Sequence, residues 1–526
     1  SLYCVGAESQ KKDCPALALE AGPRQTEGLR TDPEDAMIQM DLTGEWTLKQ
    51  AGRGEVIPAT VPGCVHTDLL DAGRIEDPFY RDNEDRVQWV GETDWVYSRP
   101  LDVPAELLER DRVLLQCEGL DTLATVKLNG KVVGRADNMF RTWEFDVKKH
   151  LRKGRNRIEV RFASATKWIG KQQRKRAVPS WGGRREARGR AWLRKEPCNF
   201  GWDWGPTLVT CGIWRPLRLI AFDTARLTSM HVRQDHGRGA VKLHVDVEAE
   251  ILRGKRCTAI VSVAQGGRVL AETQVGFRAG KTRGELVVKN PKLWWPNGLG
   301  EQPLYEVTVD LLDATEGLLD TQTKRVGLRT LTLERKKDKW GECFRFAVNG
   351  VPFFAKGANW IPADTFASRL TADDYAYLLD SAAAANMNML RVWGGGIYED
   401  DVFYDLCDEL GVCIWQDFMF SCSTYPAFDK AFMENVRLEA EQNVKRLRHH
   451  ACLALWCGNN ELEQGLVREA WGPGCMSWTD YKKLFDKLLP AVVRRHDPQR
   501  DYWPCSPHSP HGDRYDHRNP RCGDAH

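Results

Sequence analysis

The sequence predicts a multidomain β plus α/β protein, in which two β-rich regions precede a region of alternating strands and helices. Apolar and polar residues alternate in short runs from about residue 37 to residue 330, which is the period of half-buried strands. From about Leu331, short apolar runs alternate with helical segments, as is typical of parallel βα units. The length of 526 residues suggests about three domains.

Residues 1–36 form a polar, irregular stretch without the apolar core of a signal peptide, and we expect an irregular leader there. Residues 37–222 form the predicted first β domain. Alternation runs up to Asn129-Gly130, a turn signal that joins two strands in a hairpin. The basic, Gly-rich interval 171–190 shows no aromatic stacking pattern and no helical period. It is predicted to be a solvated loop rather than a nucleic-acid site.

One loop of this first domain carries two tryptophans around a single carboxylate, in the run Asn199-Phe200-Gly201-Trp202-Asp203-Trp204-Gly205-Pro206. Glycine on both sides favours a loop. A carboxylate in an aromatic frame suits a pair of sugar hydroxyls, because a charged acceptor forms short, strong hydrogen bonds. A core tryptophan pair beside a capping aspartate would give the same pattern.

Residues 223–330 alternate again and form the predicted second β domain. Two packed sheets would each bury one face of their strands, which predicts an immunoglobulin-like β-sandwich with a structural role. The apolar positions that define its strands are Val241, Leu243, Val245 and Val247, followed by Tyr305, Val307, Val309 and Leu311.

Residues 331–526 contain predicted strands that alternate with predicted helices. Thr371 is placed to cap the first helix and Gly411 to end the second. A closed β/α barrel and an open doubly wound sheet both fit this alternation. No Gly-x-Gly-x-x-Gly follows a strand, which weakens the dinucleotide-binding alternative. The predicted strands are 353–360, 389–393, 412–415 and 453–456, and the later helices are 400–410 and 429–448.

The strand at 453–456 leads into the polar run Gly458-Asn459-Asn460-Glu461. An apolar run without a polar face is typical of a strand buried on both sides in a parallel sheet. The carboxyl end of such a strand is the catalytic face of a β/α barrel, so Glu461 is the candidate catalytic residue. An ordinary turn and helix cap would also give this run. Trp360 and Trp393 likewise follow strands, and all three would converge in a closed barrel.

Composition argues against several classes of protein. A formal net charge of +2 does not favour a nucleic-acid or membrane-surface role driven by bulk charge, and no apolar run is long enough to span a bilayer. The sixteen cysteines show no zinc-like spacing, and no metal or cofactor is predicted. Scattered cysteines, together with the lack of Asn-x-Ser/Thr acceptors, favour a reducing, cytoplasmic setting. The late histidines match no common ligand pattern either: His508, His511, His517 and His526.

Several runs carry a family resemblance. The run Trp456-Cys457-Gly458-Asn459-Asn460-Glu461 resembles the acid/base motif of retaining β-glycosidases of glycoside hydrolase family 2, and the doubled asparagine resembles its β-mannosidase branch. The runs 201–206, 391–399 and 414–419 resemble the same branch. The resemblance implies a jelly-roll β-sandwich over 37–222, an immunoglobulin-like β-sandwich over 223–330 and an incomplete (β/α)8 barrel over 331–526.

The resemblance also implies an activity and roles for individual residues. The activity is that of a retaining exo-β-mannosidase, which hydrolyses terminal non-reducing β-D-mannose residues of an oligosaccharide or glycan by double displacement. Glu461 is implied to be the acid/base, and Asn460 is implied to bond the 2-hydroxyl of the sugar. Trp202, Asp203 and Trp204 are implied to hold the terminal sugar, with Trp393 as a wall of its subsite.

The second carboxylate of this mechanism has no counterpart in the sequence. In the family the nucleophile lies on a later strand, whereas residues 523–526 resemble the fifth-strand region. Glu463 and Glu469 follow Glu461 too closely to reach the opposite face of a sugar ring. We therefore expect a fragment that is inactive alone. The alternatives are another family-two exo-glycosidase (an exo-β-glucosaminidase or β-galactosidase) and a non-catalytic carbohydrate-binding fragment, and no oligomeric state is predicted.

Overall fold

The computed structural model describes residues 37–181, 188–467, 470, 476–511, 516 and 519–524. The leader expected at 1–36 lies outside these described residues. The described residues form two antiparallel β domains, a small three-stranded sheet and a five-stranded parallel sheet. Within the described part of the chain, no helix is long and apolar enough to cross a bilayer.

The first domain is the predicted jelly-roll β-sandwich, built from one sheet in the order β1-β10-β5-β8 and a second in the order β3-β2-β4-β9-β6-β7. Trp46, Tyr97, Leu115 and Val160 belong to one core between the two sheets. Its strands are β1 (Ile38–Asp41), β2 (Gly44–Gln50), β3 (Ile57–Val61), β4 (Trp95–Val103), β5 (Arg112–Cys117), β6 (Ala124–Leu128), β7 (Lys131–Ala136), β8 (Trp143–Asp146), β9 (Gly154–Phe162) and β10 (Leu217–Phe222).

The loops of this domain contain short helices. The predicted hairpin is confirmed, because β6 pairs antiparallel with β7 across Asn129 and Gly130, and both turn residues have positive φ. The helices are α1 (Val65–Asp71), α2 (Asn83–Arg86), α3 (Gln88–Gly91), α4 (Ala105–Glu109) and α5 (Ala165–Lys175).

Helix α5 corrects the prediction of a solvated loop over 171–190, since it extends to Lys175. The Ser164 side chain caps the helix by accepting from the Lys167 N–H. Ile169 is buried against a small apolar cluster that includes Phe200, and this burial stabilises a helix whose remaining residues are mostly polar. Residues 182–187 of the interval lie outside the described residues.

The second domain is the predicted immunoglobulin-like sandwich, with sheets β11-β12-β15 and β14-β13-β16-β17. The alternating apolar residues predicted to face its core are buried. Its strands are β11 (Ala225–Gly237), β12 (Ala240–Ile251), β13 (Thr258–Gln265), β14 (Arg268–Gly276), β15 (Lys281–Lys289), β16 (Leu304–Leu312) and β17 (Leu318–Gly327). The small antiparallel sheet follows, with β18 (Leu331–Glu334), β19 (Arg345–Val348) and β20 (Val351–Phe353).

The last region is the predicted incomplete (β/α)8 barrel. Its parallel strands lie in the order β21-β22-β23-β24-β25. They are β21 (Gly357–Trp360), β22 (Met389–Val392), β23 (Cys413–Asp417), β24 (Leu453–Cys457) and β25 (Asp501–Trp503). Its helices are α6 (Ala372–Ala384), α7 (Asp401–Leu410), α8 (Lys430–Leu447), α9 (Leu462–Leu466), α10 (Trp478–Tyr481) and α11 (Leu489–His496), and a π-helix (Lys482–Leu488) joins α10 to α11.

Local signals for these helices are confirmed. Thr371 and Asp374 form a reciprocal capping box at the start of α6. Gly411 ends α7 with φ 73°, a left-handed conformation that glycine adopts without steric cost.

Two predictions about strands in this region are wrong. The strand predicted over 353–360 is divided: Phe353 pairs antiparallel with Phe346 in the small sheet, whereas β21 pairs parallel with β22. The small sheet pairs its strands antiparallel, whereas the barrel sheet pairs its strands parallel. The chain changes direction between these two sheets, so the predicted strand breaks there. The fifth parallel strand is β25, whereas resemblance placed that strand at 523–526. Of that segment the structure describes Gly523 and Asp524, and Asp524 forms an antiparallel bridge with His508.

Candidate active site

Glu461 lies where β24 ends and α9 begins, at the carboxyl end of the parallel sheet. Every residue of β24 is buried, whereas Glu461 is partly exposed and has φ 64°. Its N–H donates to the Ser506 carbonyl at 2.9 Å, and the Cys422 thiol donates to its Oε2 at 3.1 Å. The carboxyl group is thus held at the face where a β/α barrel places its chemistry.

Asn460 is fixed on both sides of its amide. Its Oδ1 accepts from Arg391 Nη2 at 3.0 Å, and its Nδ2 donates to Ser421 Oγ at 3.3 Å and to Cys422 Sγ at 3.5 Å. The side chain is 3% exposed. Its orientation is therefore set before any ligand binds.

A buried ion pair between Arg391 and Asp417 holds the guanidinium that contacts Asn460. Arg391 donates to Asp417 through Nε at 3.2 Å and through Nη2 at 2.7 Å, a bidentate geometry. Asp417 also accepts from the Trp415 indole and from the Gly394 N–H, each at 3.0 Å. Burial disfavours the Arg391 cation, but the Asp417 carboxylate outweighs that cost and raises the pKa of Arg391. The ion pair therefore fixes the position of Arg391, which in turn holds the Asn460 side chain.

Three tryptophans from two domains form one aromatic group. The Trp202 and Trp393 rings lie 4.7 Å apart at 79°, and the Trp204 and Trp393 rings lie 5.6 Å apart at 72°, both favourable edge-to-face contacts. Trp204 remains 45% exposed, and Asp203 between the two is exposed. The loop of the first domain therefore presents apolar faces and a carboxylate at the carboxyl end of β22.

Close backbone packing holds that loop in place. The Cys198 N–H donates to the Gly395 carbonyl at 2.9 Å. A Cβ at Gly395 would lie 1.8 Å from the Trp393 ring, so no larger residue fits there without moving the tryptophan. Gly395 is thus required for the position that Trp393 takes beside the loop of the first domain.

Arg190 connects the aromatic group to Glu461. Its guanidinium carbon lies 4.9 Å from the Trp202 ring centroid, within the range of a cation–π contact. The same guanidinium donates to the carbonyls of Trp181 and Cys422, and the Cys422 thiol reaches Glu461. Two residues thus join Trp202 to the candidate catalytic carboxyl group. Arg190 carries no signal of this role in the sequence, because it stands in a basic, Gly-rich interval that predicts a solvated loop.

Trp360 lies over a buried carboxyl group that sequence reasoning did not single out. The Trp360 indole donates to Glu399 Oε1 at 2.9 Å, and the Tyr375 hydroxyl donates to Oε2 at 2.7 Å. Burial raises the pKa of Glu399 to about 7. Glu399 is 1% exposed, so its role here is to orient Trp360.

Two described carboxyl groups that follow Glu461 along the chain, Glu463 and Asp524, are held in hydrogen-bonded networks. Glu463 accepts from the Tyr481 hydroxyl at 2.7 Å and pairs with His508 Nδ1 at 2.8 Å. Asp524 accepts from the Trp503 indole at 2.6 Å and from Ser506 Oγ at 2.5 Å, and burial raises its pKa. Glu469, considered above as a substitute nucleophile, lies outside the described residues.

Among the described residues, Asp408, His450 and Cys452 bring three metal-ligand types within 4.8 Å of one another. Both Asp408 oxygens already have partners, namely His450 Nδ1 at 2.7 Å and the Cys452 N–H at 2.7 Å. The cluster thus acts as a buried hydrogen-bonded junction. We assign no metal to it, and the sequence prediction that the protein binds none stays a prediction.

Comparisons with known proteins place these features in context. The family described as "Glycosyl hydrolase 2 galactose-binding domain-like" matches residues 46–215, and "Glycosyl hydrolases family 2" matches residues 225–329. β-Mannosidase B of Emericella nidulans is 35% identical over 509 residues, which cover 93% of this chain and 59% of that protein. The β-mannosidase of Capra hircus is 36% identical over 495 residues, which cover 90% of this chain and 56% of that protein.

Two solved structures share the fold of this chain. The crystal structure of a β-D-mannosidase from Dictyoglomus thermophilum superposes with a TM-score of 0.88 at 40% identity, over 93% of this chain and 60% of that chain. An exo-chitosanase of Amycolatopsis orientalis shares the fold at 16% identity, with a TM-score of 0.67 over 89% of this chain and 53% of that chain. This chain spans 56–59% of the length of the two β-mannosidases compared above.

Proposed function

The chain belongs to glycoside hydrolase family 2, and from that membership we propose that it carries the acid/base half of a retaining exo-β-mannosidase site. The substrate class is an oligosaccharide or glycan with a terminal non-reducing β-D-mannose. One observation carries the proposal: Glu461 stands at the carboxyl end of a buried parallel strand, joined to the tryptophan group through Cys422 and Arg190. The similar proteins named β-mannosidase supply the sugar.

The proposed chemistry gives Glu461 two successive tasks. As a carboxylic acid it donates its proton to the departing glycosidic oxygen, and as a carboxylate it then takes a proton from the attacking water. A second carboxylate attacks the anomeric carbon from the opposite face and forms the glycosyl-enzyme intermediate. Glu463 is too deeply buried for that task, so the proposal places the nucleophile outside the described residues.

The proposed sugar subsite uses the neighbours of Glu461. Asn460, held by Arg391, would bond the 2-hydroxyl, and this bond strengthens as positive charge develops on the ring. The apolar faces of Trp202 and Trp393 would pack on the ring carbons, while the exposed Asp203 carboxylate accepts from sugar hydroxyls. Substrate binding therefore draws on the first β domain and the barrel together.

The test is made on the complete gene product with two substrates that differ in leaving group. Glu461→Ala should lower kcat/KM on a manno-oligosaccharide by about 10²–10⁴-fold, because general acid catalysis is lost. It should affect a dinitrophenyl β-mannoside far less, because that leaving group needs no proton. The control Glu272→Ala removes an exposed carboxylate on β14 and should leave both rates unchanged. Equal losses on the two substrates in Glu461→Ala would contradict the acid/base role.

The sugar is tested in the same assay. Release of nitrophenol from the β-mannoside should exceed release from the β-galactoside and the β-glucosaminide. Faster release from the β-galactoside or from the β-glucosaminide would still agree with glycoside hydrolase family 2, but it would contradict a terminal β-mannose as the substrate.

A further inference from the structure

Cys422 contacts Glu461 and Asn460, two of the residues proposed to act on the substrate. Its thiol donates to Glu461 Oε2 at 3.1 Å, and its sulfur accepts from Asn460 Nδ2 at 3.5 Å. Cys422 is 8% exposed and has φ 40°, a left-handed conformation that non-glycine residues adopt at some cost. The surrounding structure therefore holds this side chain in one place.

The restraint comes from the first β domain. The Cys422 carbonyl accepts from the Trp181 N–H at 2.9 Å and from Arg190 Nη2 at 3.4 Å. Ser180 and Ser423 form an antiparallel bridge, and the Thr424 N–H donates to the Pro179 carbonyl at 2.8 Å. Residues 179–181 and 422–424 thus pair as a short ladder between two domains. The ladder fixes the backbone from which the thiol reaches Glu461.

The thiol acts as a donor at neutral pH. Burial raises the pKa of Cys422 to about 12, and the nearby Glu461 charge adds to this effect. A protonated thiol that donates to Oε2 restrains the Glu461 carboxyl group through that oxygen. The direction in which Glu461 delivers its proton to the glycosidic oxygen then depends on this restraint.

We propose that Cys422 is a positioning residue for Glu461, whose thiol holds the carboxyl group in the orientation that aims its proton at the leaving group. The inference rests on the proposed acid/base role of Glu461. In a misaligned acid the proton transfer slows while binding of the sugar stays intact. The defect therefore falls on substrates whose leaving groups need the proton.

The test compares Cys422→Ala with Cys422→Ser in the complete gene product, across aryl β-mannosides of graded leaving-group pKa. Cys422→Ala should lower kcat on the phenyl mannoside by about 10-fold or more, since misplaced catalytic groups cost rates of this order. It should change kcat on the dinitrophenyl mannoside, and KM on either substrate, by less than about 3-fold. Cys422→Ser restores a donor and should return the phenyl mannoside rate to within about 3-fold of the unmodified protein.

Two further variants serve as controls. Cys422→Gly removes the donor but suits the left-handed backbone, so it should show the same selective loss even if Cys422→Ala does not fold. Cys257→Ala removes a buried thiol from the second β domain and should leave the dependence on leaving group unchanged.

The outcomes separate this inference from the proposed function. Cys422 does not position the acid if Cys422→Ala and Cys422→Gly lose activity equally on both substrates or retain full activity. The same conclusion follows if Cys422→Ser does not restore the rate on the phenyl mannoside. If Glu461→Ala itself shows no dependence on leaving group, the acid/base role fails first. A selective loss in Glu461→Ala without one in Cys422→Gly refutes only the role of Cys422.

Discussion

Glu461 and Glu463 lie two residues apart after the same strand, yet their surroundings are opposite. The Glu463 side chain is fully buried and engages the Tyr481 hydroxyl and the His508 ring. Glu461 is partly exposed at the carboxyl end of the sheet, where the Cys422 thiol meets one of its oxygens. A carboxyl group locked between buried donors supports the fold, whereas one that reaches a cleft can exchange a proton with a ligand.

The same contrast holds for other carboxyl groups nearby. Glu399 and Asp417 are buried, and they orient Trp360 and Arg391. Asp203 is exposed beside the tryptophans. Burial and partners, rather than residue type, therefore separate supporting carboxylates from those available to a substrate.

The largest expected effect is on stability, and it should distinguish the two neighbouring glutamates. Glu463→Ala should lower the free energy of unfolding by about 3–5 kcal/mol, because it removes the buried carboxylate that accepts from the Tyr481 hydroxyl and pairs with the His508 ring. Glu461→Ala should change it by no more than about 1 kcal/mol, as is usual for a partly exposed site. Denaturant unfolding followed by tryptophan fluorescence measures both. Similar losses of unfolding free energy in the two variants would contradict the contrast between Glu461 and Glu463.

A smaller effect is expected where an exposed carboxylate meets the substrate. Asp203→Asn should lower kcat/KM on a β-mannoside by about 10- to 100-fold, because hydrogen bonds to a charged acceptor contribute about 1.5–3 kcal/mol. Its unfolding midpoint should stay unchanged, since the side chain is exposed. Asp102→Asn, at an exposed aspartate on β4, is the matched control. A loss of stability in Asp203→Asn would assign this residue to the supporting class instead.

The sequence predicts the elements better than the contacts between them. Strand β24, the Thr371 cap and the Gly411 stop follow from local signals, namely an apolar run, a capping box and a left-handed glycine. Helix α5 was missed because few of its residues are buried to mark a helical period. Local sequence pattern is therefore sufficient to predict those elements whose conformation depends on a short stretch of residues.

Contacts formed by folding are not visible in such patterns. Cys422 reaches Glu461 across 39 residues, and Arg190 reaches Cys422 across 232. The parallel pairing of β23 with β24, continued by the Ser421–Asn460 bridge, brings Cys422 to Glu461. The packing of the first β domain against the barrel brings Arg190 to Cys422. The candidates Trp202, Trp393 and Glu461 stand in motifs that resemble a family, whereas their supports Arg190 and Cys422 lie outside those motifs and carry no signal as single residues.

The smallest effect concerns the dependence of stability on pH. The Glu399 carboxyl group has a folded-state pKa of about 7, raised by burial from 4.5. Between these two pH values the folded protein retains a proton that the unfolded chain has released, so stability falls as pH rises. One such group contributes a slope of at most about 1.4 kcal/mol per pH unit.

Glu399→Gln removes this slope while an amide can still accept from Trp360 and donate to the Tyr375 oxygen. Between pH 5.5 and pH 7 the unmodified protein should lose about 1–2 kcal/mol more unfolding free energy than the variant. The difference between the two curves isolates Glu399, because the other acids whose pKa burial raises, such as Asp68, Glu196 and Asp524, titrate in both proteins. Parallel curves would show that Glu399 stays ionised when buried, and its contrast with the partly exposed Glu461 would then lie in hydrogen bonding alone.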